Sequence, residues 1–231
     1  TMDFMSDPNR ACHAQSYYFD NCYFGCCQEN AFDVYRVFDC HFNNCIFEYD
    51  NSSIKVRFMI EGLYITNCLI ENIRGDGIII QTTNGCWNLV IRDTYFEDND
   101  CSINLSNMNY KTATVIDGCM VVLSATSQIF IHMPRNLDDK FGLNNSQYPS
   151  LAITNNAVVP TASNTGSNVL LFDLFRQDGS SWQYYITGLT FENNNFELTN
   201  SNASAAQLFT LHYRPKNSTY TRSNKTYVTV Q

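Results

Sequence analysis

The chain has 231 residues, 44% of them hydrophobic, which is enough for one elongated or one large globular domain with a sizeable core. Its formal net charge of -8 and its lack of a basic stripe argue against nucleic-acid binding, which depends on neutralising phosphates. No apolar run reaches the roughly 18 residues of a membrane-spanning helix, so no membrane insertion is predicted.

The first 14 residues carry no repeat and no signal peptide, and we interpret them as a lead-in from a longer polypeptide. A six-residue phrase then recurs at a step of 23 residues, as FDNCYF, FNNCIF and ITNCLI. Such a period is typical of solenoid proteins. Including four later copies at longer steps, the phrase occupies residues 19–24, 42–47, 65–70, 91–96, 116–121, 153–158 and 191–196.

The phrase predicts a strand, a sharp bend and a second strand. Position one and the residue two places before it are mostly apolar, which indicates a strand with one buried face. Position three is Asn, Asp or Gly in every copy, and these residue types tolerate the left-handed backbone angles of a bend. Positions four and six are predicted to point inward, and positions five and seven outward.

After each phrase come a polar turn, another short strand and a third strand that returns to the next copy. Three strands per coil of about 23 residues predict an all-β fold, a parallel β-helix of about seven coils over residues 15–206. Residues 134–149 and 161–168 are predicted to be loops off the solenoid. The segment 207–231 loses the periodicity and is predicted to cap or link the last coil.

Ten cysteines raise the question of disulfides. Cys22, Cys45 and Cys68 recur at position four between apolar residues, which favours reduced core thiols over a disulfide framework. The cysteine pairs lack a second matching pair with histidine, so no zinc site is predicted, and no other metal or cofactor is predicted.

Two outward columns carry the functional hypotheses. Position five is largely apolar, which favours a subunit interface over cover by a terminal segment or a loop. Position seven places Glu48, Glu71 and Glu97 one above another, so at least one of their pKa values should be raised. These glutamates are candidates for catalytic acid and base in glycoside hydrolysis, and the alternative is a set of solvated surface side chains. Trp87 and Tyr95 are candidates for stacking on sugars.

Through the recurring six-residue phrase and the GDGI motif at 75–78, the chain resembles the pectate-lyase-like superfamily of right-handed parallel β-helices. Within it the Asn- and Tyr-rich, acidic composition is most similar to bacteriophage tailspike and tail-fibre proteins. The resemblance implies a homotrimer on the phage tail, assembled in the host cytoplasm, that binds bacterial surface polysaccharide. It also adds Asp76 of GDGI as a catalytic candidate and Arg92 as a substrate-binding candidate. The Asp-Gly pair of GDGI is similar to one in the polygalacturonase group of this superfamily. The rest of that group's signature, a second Asp-Asp and a Gly-His-Gly, is absent from the sequence.

Three functions remain open at this point. The first is a tailspike domain that binds and hydrolyses host polysaccharide. The second is a non-enzymatic structural or receptor-binding spike. The third is a secreted monomeric polysaccharide hydrolase or lyase.

Overall fold

The computed structural model describes residues 2–4, 14–81, 85–105, 113–124, 128–133, 150–160, 168–172, 175–178, 181–184, 188–196, 207–211 and 227–230. Within these ranges every regular element is a β-strand, and no helix could span a membrane. The strands of the first half are β1 (Met2–Phe4), β2 (Ala14–Asp20), β3 (Tyr23–Gly25), β4 (Asn30–Asn43), β5 (Ile46–Glu48), β6 (Ser52–Ile60), β7 (Leu63–Thr66), β8 (Leu69–Glu71), β9 (Asp76–Ile80), β10 (Gly85–Cys86), β11 (Asn88–Arg92), β12 (Tyr95–Glu97) and β13 (Cys101–Asn104). Those of the second half are β14 (Ala113–Asp117), β15 (Met120–Leu123), β16 (Ile129–Met133), β17 (Ser150–Thr154), β18 (Ala157–Pro160), β19 (Asn168–Phe172), β20 (Phe175–Asp178), β21 (Ser181–Tyr184), β22 (Gly188–Glu192), β23 (Asn195–Phe196), β24 (Gln207–Leu211) and β25 (Tyr227–Val230).

These strands form a parallel β-helix with three strands per coil, which confirms the predicted fold class. The strand before each bend pairs with its counterpart in the next coil, as β7 does with β11, and the strands after the bend form a separate seven-stranded sheet. The third strands pair in the same way, as β6 does with β9. The long strand β4 joins two faces, because its start pairs with β6 and its end pairs with β7.

The coil count differs slightly from the prediction of about seven. About four coils lie in the most completely described stretches, three in residues 14–81 and one in residues 85–105. The seven-stranded sheet nevertheless takes one strand from each of the seven phrases.

The two long coils differ from the rest. The predicted loops 134–149 and 161–167 lie outside the described residues, and Asn168 begins β19. The later long coil also holds an antiparallel hairpin, β20–β21, which the repeat did not predict. In the C-terminal segment, β24 pairs with β19 and β25 pairs with β22.

The bends explain why position three is restricted. All seven of its residues have positive φ, between 50° and 66°. A side chain in that region costs about 1–2 kcal/mol for most residues, and Asn, Asp and Gly reduce this cost. A second bend that the sequence analysis did not predict lies at position eight, where Cys26, Tyr49, Asn72 and Asp98 also have positive φ.

The core lies inside the coils and is filled by positions one, four and six. Phe42, Phe47, Ile65 and Ile70 are fully buried, and Phe42 contacts Phe47 at 5.6 Å between ring centroids. Burying side chains of this size contributes roughly 1.5–3 kcal/mol each. The predicted inward direction of these positions is therefore confirmed.

From the second phrase onward, position four braces the bend through a hydrogen bond to the preceding coil. The Cys45 thiol donates to the Phe19 carbonyl at 3.4 Å, and the Asn156 amide donates to the Ile116 carbonyl at 3.1 Å. The eight cysteines whose side chains the structure describes are all free thiols. Burial raises the pKa of Cys68 to about 12, which fits a packing role for the thiol instead of a reactive one.

Candidate functional site

The outer surface of the seven-stranded sheet brings the two outward columns together. In the first described coils, residues of position seven lie beside their counterparts in the next coil, with Glu48 opposite Glu71 and Glu71 opposite Glu97. Neighbouring strands lie about 4.8 Å apart, so three carboxyl groups follow one another along one line. We call Glu48, Glu71 and Glu97 the glutamate column.

The middle member of the glutamate column has a pKa near neutral pH. The pKa of Glu71 is raised to about 7, first by its hydrogen bond with Glu48 and then by partial burial. The negative charges of Glu97 and Asp98 add to the shift. Two carboxyl groups this close repel each other when both are ionised, and the raised pKa of Glu71 agrees with the prediction from the stacking of like charges.

Two tyrosines hold the outer glutamates. The Tyr23 hydroxyl donates to Glu48 Oε2 at 3.0 Å, and the Tyr95 hydroxyl donates to Glu97 Oε2 at 2.7 Å. Burial and then the bond to Glu97 raise the pKa of Tyr95 to about 12, so its hydroxyl remains a donor at neutral pH. The site therefore offers a carboxyl with a pKa near neutral pH, flanked by two carboxyl groups that accept hydrogen bonds from tyrosines.

An apolar column runs beside the glutamates. It consists of the outward residues at position five, in register from strand to strand. Tyr23 is 61% exposed, Met120 is 47% exposed and Ile46 is 37% exposed. A continuous apolar line of this kind offers contact area to a sugar ring or to another chain. Its members are Tyr23, Ile46, Leu69, Tyr95, Met120 and Ala157.

Asp76 lies away from the glutamate column, at the start of β9 in the other sheet. Its Oδ2 accepts a hydrogen bond from Asn104 Nδ2 at 2.6 Å. His132 lies opposite Asn104 on the next coil, and burial lowers the pKa of His132. In this arrangement Asp76 accepts a hydrogen bond from the neighbouring coil, which gives it a structural role.

The other two predicted residues also lie elsewhere. Arg92 ends β11 and forms an ion pair with Asp117, with its Nε 3.1 Å from Oδ2. Trp87 lies between β10 and β11 and is 42% exposed. The structure therefore brings together Glu48, Glu71, Glu97 and Tyr95, and separates them from Asp76, Arg92 and Trp87.

The sequence analysis missed a stack of aromatic rings on another face. The Tyr18 and His41 rings stack at 4.6 Å between centroids, and the His41 and Tyr64 rings stack at 4.4 Å. We call Tyr18, His41 and Tyr64 the aromatic column. Its signal was present in the sequence, because these residues immediately precede the first three phrases at steps of 23.

Asp39 sits beside the aromatic column. The His41 Nε2 donates to Asp39 Oδ1 at 2.7 Å, and the Tyr18 hydroxyl donates to Asp39 Oδ2 at 2.8 Å. These bonds, that of His41 first, lower the pKa of Asp39. The aspartate is thus a fixed acceptor that aligns two of the stacked rings.

In the described part of the chain, no three His, Cys, Asp or Glu side chains form a group that could hold a metal ion. Comparisons with protein-family models, with curated proteins and with solved structures find no match to this chain.

Proposed function

We propose that this chain is a β-helix domain of a bacteriophage tailspike or tail fibre that binds polysaccharide on the host surface, and that its glutamate column hydrolyses that polysaccharide. The observation that carries the proposal is the position of Glu71, whose pKa is raised to about 7, between two further carboxyl groups. Glycoside hydrolysis requires one carboxyl that donates a proton and another that acts as nucleophile or base. A pKa of about 7 suits a general acid at neutral pH.

In this proposal Glu71 protonates the oxygen of the leaving sugar. Glu97 is the partner, because the Tyr95 hydroxyl donates to it at 2.7 Å and orients it, whereas Glu48 hydrogen-bonds with Glu71 and raises the Glu71 pKa. Neighbouring strands are about 4.8 Å apart, close to the roughly 5–5.5 Å between carboxyl groups in retaining glycosidases. The Glu71–Glu97 pair is therefore expected to retain the anomeric configuration. A pairing of Glu48 with Glu97, two strands apart, would instead fit inversion.

The test is release of reducing ends from capsule or O-antigen preparations by the whole chain. Glu71→Gln should lower the rate by roughly 10²–10⁴-fold, because it removes the proton donor while keeping the side-chain shape. Glu192→Gln is the matched control, since Glu192 lies on β22 in the other sheet. Undiminished activity in Glu71→Gln would remove the chemistry from the glutamate column.

A non-enzymatic spike is the second candidate, and the exposed apolar column favours it. In that case the wild-type chain binds polysaccharide without releasing reducing ends. A lyase would be recognised instead by unsaturated products that absorb in the ultraviolet.

The proposal includes assembly as a homotrimer on the virion through the apolar column, after synthesis in the host cytoplasm. Light scattering should show a trimer for the wild-type chain and a monomer for Leu69→Glu, because a buried unpaired charge is costly at an interface. Val90→Glu on β11 is the control on another face. A trimer that survives Leu69→Glu would exclude the apolar column as the contact. A wild-type monomer would favour the third function, a secreted enzyme.

A further inference from the structure

The second bend of the first four coils carries an inward column at position nine. Its members in the first four coils are Cys27, Asp50, Ile73 and Asn99. Asn99 is 2% exposed and links two coils through both ends of its amide. Its Oδ1 accepts from the Ile73 backbone N–H at 3.3 Å, and its Nδ2 donates to the Ile70 carbonyl at 3.0 Å.

Asp50 occupies the same position two coils earlier and repeats half of this pattern. Its side chain is fully buried, and its Oδ1 accepts from the Cys27 backbone N–H at 2.8 Å. Its Oδ2 is buried without a hydrogen-bond partner. The residue that corresponds to Ile70, one coil before Asp50, is Phe24. An ionised carboxylate has no proton to donate to a carbonyl, whereas a protonated one has.

We propose that Asp50 is a neutral carboxylic acid in the folded protein and that its Oδ2 hydroxyl donates to the Phe24 carbonyl, as the Asn99 amide donates to the Ile70 carbonyl. Asp50 is then a proton-dependent brace between the first two coils. The inference does not depend on the proposed function.

Among the groups around Asp50, the hydrogen bonds from Cys27 favour its ionised form, and burial opposes and outweighs them. Among the described residues, the titratable group that faces it from the preceding coil is the Cys27 thiol, and burial raises the pKa of that thiol. The residue at the same position of the following coil is the apolar Ile73. Glu29 and Arg74 are exposed and meet this turn through their backbones, with Glu29 O accepting from Asn51 N and Arg74 N donating to Asp50 O. Burial raises the pKa of Asp50 as well.

The direction of the pH dependence follows from the proton balance. A carboxyl group whose pKa is higher in the folded state makes the folded state bind more protons. Its contribution is complete below the ordinary aspartate pKa of about 3.9 and is lost as the pH rises towards the folded value. The joint between the first two coils therefore weakens as the solution becomes more alkaline.

The experiment compares the melting temperatures of the wild-type chain and Asp50→Asn between pH 4 and pH 9. Asparagine supplies the same donor at every pH. At pH 8 the variant should therefore melt at least about 2–4 °C higher than the wild-type chain, and at pH 4 the two should melt at the same temperature. The reciprocal change, Asn99→Asp, should lower the melting temperature at pH 8 and much less at pH 4. An Asp50→Asn variant that is no more stable than wild type at pH 8 would overturn the proposal.

A measurement on the unaltered chain keeps the proposal testable if a variant does not fold. The carboxyl carbon of Asp50, followed by NMR, should keep the chemical shift of the protonated acid at pH values where exposed aspartates have ionised. Titration of that carbon at the ordinary aspartate value of about 3.9 would show an ionised group and refute the brace.

Discussion

The aromatic column and the glutamate column stack in the same way on two faces of one solenoid, and their energetics are opposite. Rings at 4.6 and 4.4 Å gain from contact with their neighbours, and Asp39 aligns two of them. Carboxyl groups in the same arrangement repel, and the response is a proton retained on Glu71. The fold therefore stacks equivalent side chains of successive coils whatever their type. The chemistry of those side chains decides whether the stacking stabilises or destabilises the folded protein.

The largest loss of stability is expected when the central ring of the aromatic column, that of His41, is removed. His41→Ala should lower the free energy of unfolding by about 1–3 kcal/mol, because two stacked pairs worth roughly 0.5–1.5 kcal/mol each are lost. Urea denaturation measures the change. His41→Phe is the control that keeps both stacked pairs and loses only the bond to Asp39. An alanine variant as stable as wild type would show that the aromatic column contributes no stability.

A smaller effect, of opposite sign, is expected from neutralising the central carboxyl. The pKa of Glu71 is about 7 in the folded protein and ordinarily about 4.3, so the folded state binds more protons between these values. Wild-type stability should therefore fall relative to Glu71→Gln as the pH rises from about 4 to about 7. The difference should be on the order of 1 kcal/mol, since water screens a partly exposed pair.

Denaturation at a series of pH values measures this difference, with Glu192→Gln as the control. Parallel pH profiles for wild type and Glu71→Gln would mean that the glutamates of the column splay apart and do not interact.

The smallest effect is expected from the tyrosine that supports the column. Tyr95→Phe removes the hydroxyl that donates to Glu97 at 2.7 Å and should cost about 0.5–1.5 kcal/mol in unfolding free energy. Tyr23→Phe should cost less, because Tyr23 is 61% exposed. The two variants can be compared in one denaturation series. An equal or larger loss in Tyr23→Phe would contradict the assignment of Tyr95 as the stronger support.

The repeat predicted the fold because the residue types at position three of the phrase are enough to locate the first bend of each coil. Position three holds only Asn, Asp or Gly, and all seven residues adopt positive φ. The second bend escaped prediction because Cys26, Tyr49, Asn72 and Asp98 share no chemistry, although they share a backbone angle. The hairpin β20–β21 lies outside the periodic positions, so the period carries no information about it.

The site was predictable where it depended on register and unpredictable where it depended on contacts between coils. Glu48, Glu71 and Glu97 follow from position seven alone. The partners of Arg92 and Asp76 are Asp117 and Asn104, which approach from neighbouring coils in ways that no local motif encodes. The roles of the predicted site residues in catalysis and sugar binding remain predictions.

The shared register between coils has a consequence for how such a chain can change in length. A duplication of residues 46–68 would add one further coil and keep every column aligned, because the duplicated segment has the 23-residue length of one repeat. A single inserted residue would instead exchange the inward and outward sides of a strand. Genes for a molecule of this kind can therefore grow or shrink in units of whole coils, and its reach can evolve while both ends of the chain stay the same.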